Sequence, residues 1–175
     1  MKIEKTEEFL LNENTHTIIS ALLLECFPGY PKGRSYFKHP PTFRYLIWEK
    51  EALVGHMGVD YRLISHDHEL IPIFGIMDLC VLPAFQHRRL ASKLLIELEE
   101  LGKKSGVDFL LLVAQSLDLY LNNGFLPVKN TCQWLLLSGN QSLGLVRRSI
   151  ADIMVKPLQQ KEWPLGMIDF MGPLF

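Results

Sequence analysis

The stretch from Leu70 to Ala114 changes its hydrophobic period twice within one short run of chain. Residues 70–83 are apolar on both faces, which is typical of a central buried strand. Residues 88–106 instead carry leucines every three or four positions, which predicts an amphipathic helix. Residues 107–114 are apolar again and predict a second buried strand. Because the helix of such a unit must pack against a sheet, we expect an α+β fold, an α/β sandwich.

The rest of the chain adds strands and short helices around this unit. Aromatic and β-branched runs separated by charged turns predict an antiparallel meander that leads into residues 70–83. The apolar tail from Trp163 to Phe175 is expected to dock on the domain, because disordered tails are usually polar. The other expected elements are helices at 16–27 and 116–124, strands at 43–50, 52–66, 125–137 and 150–158, and loops at 29–41 and 138–144.

Composition narrows the class of protein. The chain has 175 residues, a formal net charge of −1, 48% hydrophobic residues and 21% charged residues. These values fit one globular domain over residues 1–175. The net charge is not positive, so the overall charge does not indicate binding to nucleic acid. Cys26, Cys80 and Cys132 show no paired or metal-binding spacing, which favours a reducing compartment and no metal. Since the N-terminus lacks a signal peptide and no apolar run reaches about 18 residues, we expect a cytoplasmic protein.

A cluster of positive charge opens the long amphipathic helix. Residues 86–89 are Gln-His-Arg-Arg, whereas a solvated helix start usually carries acids because the macrodipole is positive there. A tight loop before a helix N-terminus offers N–H groups suited to a pyrophosphate, and Lys93 adds charge to the same place. The alternative is a basic helix start that simply faces solvent.

The pattern around this cluster resembles the GCN5-related N-acetyltransferase (GNAT) superfamily. That family's acetyl-CoA motif is a strand ending in V-x-P, followed by Q/R-x-x-G-x-G/A at the start of a long helix. In "QHRRLA" (86–91), Gln86 and Ala91 match the motif, and Arg89 stands at the position of a glycine. Aminoglycoside 2'-N-acetyltransferases look similar here, with a non-glycine residue followed by leucine. The stretch "LYLNNGF" (119–125) resembles the family's Y-x-x-x-G-F junction.

The resemblance implies a central mixed, mostly antiparallel sheet with a splayed strand pair and flanking helices. The strand that ends at Val81 would part from residues 107–114, and pantetheine would lie in the gap. Acetyl-CoA is then the expected co-substrate, and the reaction needs no metal. The residues expected to bind it through their backbone groups are Leu79, Cys80 and Val81 for pantetheine, and Gln86, His87, Arg88, Arg89, Leu90 and Ala91 for the pyrophosphate.

The resemblance also implies direct attack of a neutral amine on the thioester, without a covalent enzyme intermediate. Tyr120 matches the family's usual general acid. An unperturbed tyrosine has a pKa of about 10, so its phenol is protonated at neutral pH and can donate to a thiolate. Without the resemblance, Tyr120 is a core aromatic residue of a short amphipathic helix.

Three residues are candidates for the base that deprotonates the acceptor amine. Asp78 is the first, because placing an acid in a nearly all-apolar strand is unfavourable, which indicates that the carboxyl group has a function. Asp60 is the second, and it binds the substrate's ammonium or pairs with Arg62 at the surface. His56 is the third, although a lone histidine on a strand is more often a structural residue.

Together these features predict an N-acetyltransferase that moves an acetyl group from acetyl-CoA to a primary amine of a small molecule. Asp60 and Asp78 favour a cationic acceptor of the aminoglycoside or polyamine type. Three alternatives stay open: an N-acyltransferase with a longer acyl donor, a catalytically degenerate acyl-CoA-binding or regulatory domain, and a pure interaction domain. We expect no nucleic acid and no membrane partner, and the sequence allows a homodimer without fixing the oligomeric state.

Overall fold

The structure is a computed structural model that describes residues 1–114 and 116–175. It has a mixed α/β fold with flanking helices, which confirms the expected α+β class. Among the helices described, none is both long and apolar enough to cross a lipid bilayer. The strands are β1 (Lys2–Glu7), β2 (Phe43–Glu49), β3 (Ala52–His66), β4 (Glu69–Val81), β5 (Phe109–Val113), β6 (Leu126–Ser138), β7 (Gln141–Pro157) and β8 (Met167–Pro173). The helices are α1 (Glu13–Cys26), α2 (Leu90–Lys104) and α3 (Asp118–Leu121), with 3-10 turns at Glu8–Leu10 and Pro83–Phe85.

The chain divides into two compact units, each made of two segments. The first unit comprises Met1–Asp60 and Ile76–Ile96, and the second comprises Tyr61–Gly75 and Glu97–Phe175. Strands β3 and β4 therefore contribute residues to each unit. The single domain expected over residues 1–175 stays a prediction.

In the first unit the strand order is β1–β2–β3–β4, and the β1–β2 and β2–β3 pairs are antiparallel. Helix α1 begins where the Asn12 side chain accepts the Thr15 N–H at 2.8 Å, a side-chain N-cap of the kind that Asn favours. The helix buries one apolar face on the strands and on the loop that follows it. This core contains Ile19, Leu22, Leu23, Tyr30, Leu46, Leu53 and Cys80.

In the second unit the strand order is β4–β5–β7–β6–β8, and β8 also pairs with β3 through Asp169 and Ser65. Because β3 is the neighbour of β4, these six strands form a closed ring. Closure of a sheet in this way protects the strand edges from pairing with other chains. The core of this unit consists of Ile64, Ile73, Phe109, Leu111, Cys132, Trp134, Ile153, Val155, Ile168 and Phe170.

The strand–helix–strand unit that the sequence predicts is present. Strands β4 and β5 are parallel, with Ile73–Gly75 aligned to Phe109–Leu111, and α2 connects them. Within the described part of the chain this pairing stops at Gly75 and Leu111, before either strand ends, as a splayed pair requires. The leucine stripe of α2 is buried as its period predicts. Four of its five members, Leu90, Leu94, Leu95 and Leu98, are at most 4% exposed, and the fifth, Leu101, is half-buried.

Two segments differ from the sequence-based expectation. Residues 138–144, expected as a loop, belong to a tight hairpin in which Ser138 pairs with Gln141. Gly139 takes a φ of 56°, the left-handed conformation that short hairpin turns need, so β7 starts well before residue 150. Lys2–Glu7 forms a strand that was not predicted. It lies at the end of the strand order and carries two Lys and two Glu, and charged side chains are common on edge strands.

The apolar tail docks, as predicted, and most of it forms β8. The Phe175 ring lies over Gly75, where an added Cβ would come within 2.4 Å of a ring carbon. Arg62 donates a hydrogen bond to the Pro173 carbonyl and stacks on the Phe175 ring at 5.2 Å. The tail is therefore part of the second unit's core packing.

Candidate active site

Strand β4 contains a left-handed residue near its end. Asp78 has a φ of 48° although it is not a glycine and lies inside a strand. L-residues adopt this conformation only when the surrounding structure holds them there, and such positions concentrate at functional sites. Asp78 is also the acid that the sequence singles out as the candidate base.

The Asp78 carboxylate is half-buried and hydrogen-bonded. The Tyr30 hydroxyl donates to Asp78 Oδ2 at 2.7 Å. Burial raises the pKa of Asp78, while the Tyr30 hydrogen bond and the positive charges of Arg44 and His39 lower it in part. Burial and the Asp78 charge raise the pKa of Tyr30, so the phenol keeps its proton and remains the donor. A carboxylate with a raised pKa is better matched to proton abstraction near neutral pH than an ordinary one.

His56 is fully buried, and both of its ring nitrogens are engaged. Arg44 Nη1 lies 2.8 Å from His56 Nε2, and His56 Nδ1 lies 2.8 Å from the Asp78 carbonyl oxygen. Since a guanidinium can only donate, Nε2 accepts and Nδ1 donates. Burial, followed by the charge of Arg44, lowers the pKa of His56 to about 3. The imidazole is neutral at physiological pH and has no nitrogen available to take a proton from a substrate.

Arg44 is the buried charge behind this histidine. Its Nε and Nη2 atoms donate to the two oxygens of the Glu8 carboxylate at 2.5 and 2.9 Å, a bidentate pair. Arg44 Nη1 also donates to the Ser35 carbonyl at 2.7 Å. A guanidinium with no exposed surface is tolerated because its donors are paired in this way.

Asp60 lies in a second polar group of the same unit. Its two carboxylate oxygens are 3.3 Å from His39 Nε2 and 3.3 Å from the Thr42 hydroxyl, which donates to it. The charge of His39 also lowers the pKa of Asp78, so one imidazole interacts with both acids. Of the two acids predicted for the acceptor side, Asp60 contacts His39 directly, and Asp78 is affected by His39 through its charge alone.

The predicted pyrophosphate loop follows β4 directly. The Gln86 side chain donates to the Val81 carbonyl at 3.0 Å, and the Gln86 N–H donates to the Pro83 carbonyl at 3.2 Å. These bonds hold the loop against the end of β4. The backbone N–H of Gln86 is engaged inside the loop by the second of them. Of the residues expected beside pantetheine, Leu79 is half-buried, and Cys80 and Val81 are buried.

Arg89 keeps the backbone conformation that a glycine would supply. Its φ is 58°, and that of His87 is 61°. The Arg89 carbonyl accepts the first helical hydrogen bond, from the Lys93 N–H at 3.0 Å, so α2 begins directly after it. The first turn of α2 contains no acid, and an α-helix leaves its first amides without intrahelical acceptors. The loop is therefore shaped and charged to receive an anion at the start of α2.

Tyr120 lies on α3 in the second unit. Its ring packs edge-on against Phe125, with the centroids 5.6 Å apart. The helix ends at Leu121 with Asn122 as its C-cap, and Gly124 takes a φ of 80° where the chain turns into β6. Burial raises the pKa of Tyr120 to about 12, so the phenol carries its proton at neutral pH.

Sequence reasoning did not single out Tyr30, His39, Arg44 or Glu8. Arg44 carried a usable signal, because it is the only basic residue of the aromatic strand "FRYLIWE", just as Asp78 is an acid in an apolar one. Tyr30 and His39 come from the loop between α1 and β2, which has no regular period. Only the fold brings them to the two acids.

Comparison with known proteins identifies the family. The profile of the acetyltransferase (GNAT) family matches residues 11–125. No curated protein matches the chain in sequence. Among solved structures, a GNAT family N-acetyltransferase of Escherichia coli (YhbS) in complex with CoA has a TM-score of 0.64 at 13% identity, covering 97% of this chain and 89% of that one.

Two further structures extend the comparison. A GNAT family acetyltransferase of Brucella melitensis in complex with acetyl-CoA has a TM-score of 0.61 at 14% identity, with 95% of this chain and 94% of that chain covered. A probable N-acyltransferase of Enterococcus faecalis has a TM-score of 0.58 at 14% identity, and the match covers 71% of this chain but 32% of that longer one. At these identities the likeness establishes a shared fold. With the family profile spanning more than half of its residues, the chain belongs to the acetyltransferase (GNAT) family.

Proposed function

We propose that this chain is an N-acetyltransferase that moves an acetyl group from acetyl-CoA to a primary amine of a small molecule. The observation that carries the proposal is the left-handed Arg89 at the start of an acid-free helix turn. The backbone keeps the shape of the family's glycine even though the residue has a Cβ. Solved relatives of the same fold hold CoA or acetyl-CoA, which supports the same co-substrate here.

The proposed reaction has one bond-forming and one bond-breaking event. The neutral amine nitrogen attacks the thioester carbonyl carbon, a C–N bond forms, and the C–S bond then breaks. The proton lost by the amine goes to the Asp78 carboxylate, whose raised pKa suits this task. The Tyr120 phenol donates its proton to the departing CoA thiolate.

The acceptor is proposed to be a cationic amine. Asp60 and Asp78 supply two carboxylates in the first unit, and because Asp60 is 8% exposed, an ammonium bound to it would be partly desolvated. Opposite charges interact more strongly in such surroundings than in water. Amines with several positive charges, of the polyamine or aminoglycoside type, fit this arrangement. We also propose that the protein acts in the cytoplasm, where the free Cys26, Cys80 and Cys132 would stay reduced.

The first test is calorimetric titration with acetyl-CoA, followed by an amine screen that detects released CoA. We expect Tyr120→Phe to bind acetyl-CoA like the original protein and to lose turnover by about 100-fold or more, the usual scale for a general acid. Tyr61→Phe is the matched control, because this tyrosine is half exposed on β3 and packs on Phe74. Absence of acetyl-CoA binding by the folded protein would contradict the proposal.

Two alternative functions predict different results in this experiment. A binding or regulatory protein would take up acetyl-CoA but acetylate no amine, and Tyr120→Phe would change nothing. An N-acyltransferase with a longer donor would prefer butyryl- or octanoyl-CoA in the same screen. The partial likeness to the probable N-acyltransferase of Enterococcus faecalis makes that series worth including.

A further inference from the structure

Two of the free cysteines meet in the core of the first unit, although they lie far apart in the sequence. Cys26 is the last residue of α1, and Cys80 is the last but one residue of β4. Both belong to the first unit, where Cys26 packs against the apolar core that contains Cys80. Their spacing in the sequence gives no sign of a pair, so only the fold brings the two side chains together. The reaction proposed above uses neither thiol.

The thiols of Cys26 and Cys80 share a hydrogen bond, and their surroundings give them different reactivity. The bond from Cys80 lowers the pKa of Cys26, while burial and the charge of Glu25 raise it in part. The same bond and burial raise the pKa of Cys80, whose sulfur also accepts the backbone N–H of His56. Cys26 is half-buried, whereas Cys80 is 8% exposed. Since the thiolate is the reactive form of cysteine, Cys26 is the nucleophile of the pair and Cys80 is the second thiol in contact with it.

We propose that Cys26 and Cys80 form a reversible disulfide when the protein meets a hydroperoxide, and that this disulfide weakens the binding of acetyl-CoA. The formation of the disulfide is independent of the proposed function, whereas its effect rests on the proposed acetyl-CoA site. Disulfides of cytosolic proteins are usually transient and sense oxidants, so this pair is reduced at rest and oxidised only under peroxide.

The oxidation takes place in two steps. The Cys26 thiolate attacks one oxygen of hydrogen peroxide, so that an S–O bond forms, the O–O bond breaks, and the leaving hydroxide takes up a proton to become water. The Cys80 sulfur then attacks the sulfur of the Cys26 sulfenic acid. An S–S bond forms, the S–O bond breaks, and the hydroxide leaves with the Cys80 proton as a second water. The two thiols have then lost two electrons to the peroxide, and a dithiol such as dithiothreitol returns them by thiol–disulfide exchange.

The place of Cys80 in β4 links this disulfide to the acetyl-CoA site. Cys80 is the middle one of the three residues, Leu79, Cys80 and Val81, whose backbone groups are expected to bind pantetheine. A disulfide has an S–S length of about 2.05 Å, which is shorter than the separation of two sulfur atoms that share a hydrogen bond. Formation of the bond must therefore draw β4 and the end of α1 together. Because hydrogen bonds weaken steeply when they are misaligned, this shift should weaken the backbone contacts with pantetheine.

The test compares the full chain before and after treatment with hydrogen peroxide. Alkylation of the remaining thiols, digestion and mass spectrometry should identify a new linkage between the peptides that contain Cys26 and Cys80. Calorimetric titration should then show about tenfold weaker binding of acetyl-CoA, which is the cost of about one lost hydrogen bond. Dithiothreitol should restore the affinity, because it reduces a disulfide and leaves methionine sulfoxide unchanged.

Two serine variants are the controls. Cys26→Ser removes the nucleophile, so peroxide should no longer change the affinity for acetyl-CoA. Cys132→Ser is the matched variant, because this third cysteine is buried in the second unit, where its thiol donates to the Asn130 carbonyl at 3.7 Å. It should keep the full response to peroxide. If Cys26→Ser does not fold, the peptide map of the original protein and the reversal by dithiothreitol decide.

The possible failures separate this inference from the proposed function. Absence of the linkage between Cys26 and Cys80, or a linkage that leaves the affinity for acetyl-CoA unchanged, overturns the inference while the proposed function stands. A loss of affinity that dithiothreitol does not restore also overturns it, because irreversible oxidation elsewhere then explains the loss. Failure of the reduced protein to bind acetyl-CoA overturns the proposed function and the effect assigned to the disulfide, and the peptide map still decides whether the disulfide forms.

Discussion

At the scale of single residues, Arg89 combines a positive charge with a backbone conformation that favours glycine. Arg89→Ala removes the charge and keeps the left-handed strain, whereas Arg89→Gly removes both. We expect Arg89→Gly to have the larger free energy of unfolding, by about 1 kcal/mol, because glycine has no Cβ to clash. Urea denaturation of the two variants measures this difference.

The matched control for that pair is Lys93, four residues further along and inside regular helix. There glycine should be less stable than alanine by about 1 kcal/mol, so the two pairs should differ in sign. Arg89 variants of equal stability, or with the sign seen at Lys93, would contradict the left-handed conformation.

The lowered pKa of His56 predicts how the free energy of unfolding depends on pH. Its folded pKa of about 3 lies below the ordinary value of 6.5, so protons bind the unfolded chain more tightly than the folded one. The stabilisation from the neutral imidazole is complete above pH 6.5 and is lost as the pH falls from 6.5 toward 3. Each pH unit in that window should cost up to about 1.4 kcal/mol from this group.

Chemical denaturation at several pH values measures that slope. We expect His56→Gln, which does not titrate, to flatten the slope below pH 6.5. Parallel slopes for the original protein and His56→Gln would show that His56 does not carry the lowered pKa.

Sequence reasoning reaches single residues where they match a family motif, as Tyr120 does, or where they break a pattern. Asp78 was found because it is an acid in an apolar strand, and the structure gives it the left-handed φ and the raised pKa. Arg44 breaks the pattern of β2 in the same way. Tyr30 and His39 break no pattern, because an irregular loop has no period from which to depart.

At the scale of elements, the loop between α1 and β2 offsets part of the burial that raises the pKa of Asp78. Tyr30→Phe removes a hydrogen bond that lowers the pKa of Asp78 and leaves the burial that raises it. The pKa of Asp78 should therefore rise further, and the acid side of any activity profile should move to higher pH because the base must be ionised.

NMR titration of the Asp78 carboxyl carbon tests this shift without an acceptor. Tyr36→Phe is the control, since this tyrosine of the same loop stacks under Arg34 at 4.9 Å. A lower or unchanged pKa of Asp78 in Tyr30→Phe would contradict the role given to the Tyr30 hydroxyl.

Elements with a strong period were predicted well, and elements without one were not. The leucine stripe of α2 has the period of a helix, and the apolar runs of β4 and β5 are bounded by turn residues as buried strands are, so all three were predicted. β1 was missed because its charged residues carry no apolar alternation. The turn at Gly139 was mistaken for a loop because polar residues 138–144 are typical of both a loop and a hairpin.

At the scale of the whole molecule, the packing of the C-terminal tail on the second unit depends on Gly75. Gly75→Ala would place a Cβ within 2.4 Å of the Phe175 ring, so the ring must move. We expect a loss of about 1–3 kcal/mol, the usual range for overpacking. Most of this loss should disappear when Phe175 is alanine, which a double-mutant cycle measures by thermal or urea unfolding.

Gly58→Ala is the comparison within the chain, because its added Cβ would meet neighbours at an ordinary 3.4 Å. It should cost less than Gly75→Ala and should not couple to Phe175. An undiminished effect of Gly75→Ala in the Phe175→Ala background would mean that Phe175 does not pack over Gly75.

The closed ring of the second unit also has a consequence for the order of folding. The pair Ser65 and Asp169, which closes it, joins positions about 100 residues apart in the chain. Contacts of such separation form slowly, since the entropy of closing the intervening loop is lost before the contact stabilises anything. During synthesis, β3 and β6 must wait for β8 to leave the ribosome, with their edges exposed to other chains in the meantime. Chaperone demand and the yield of refolding should therefore depend more on the last strand than on the helix that shapes the anion loop.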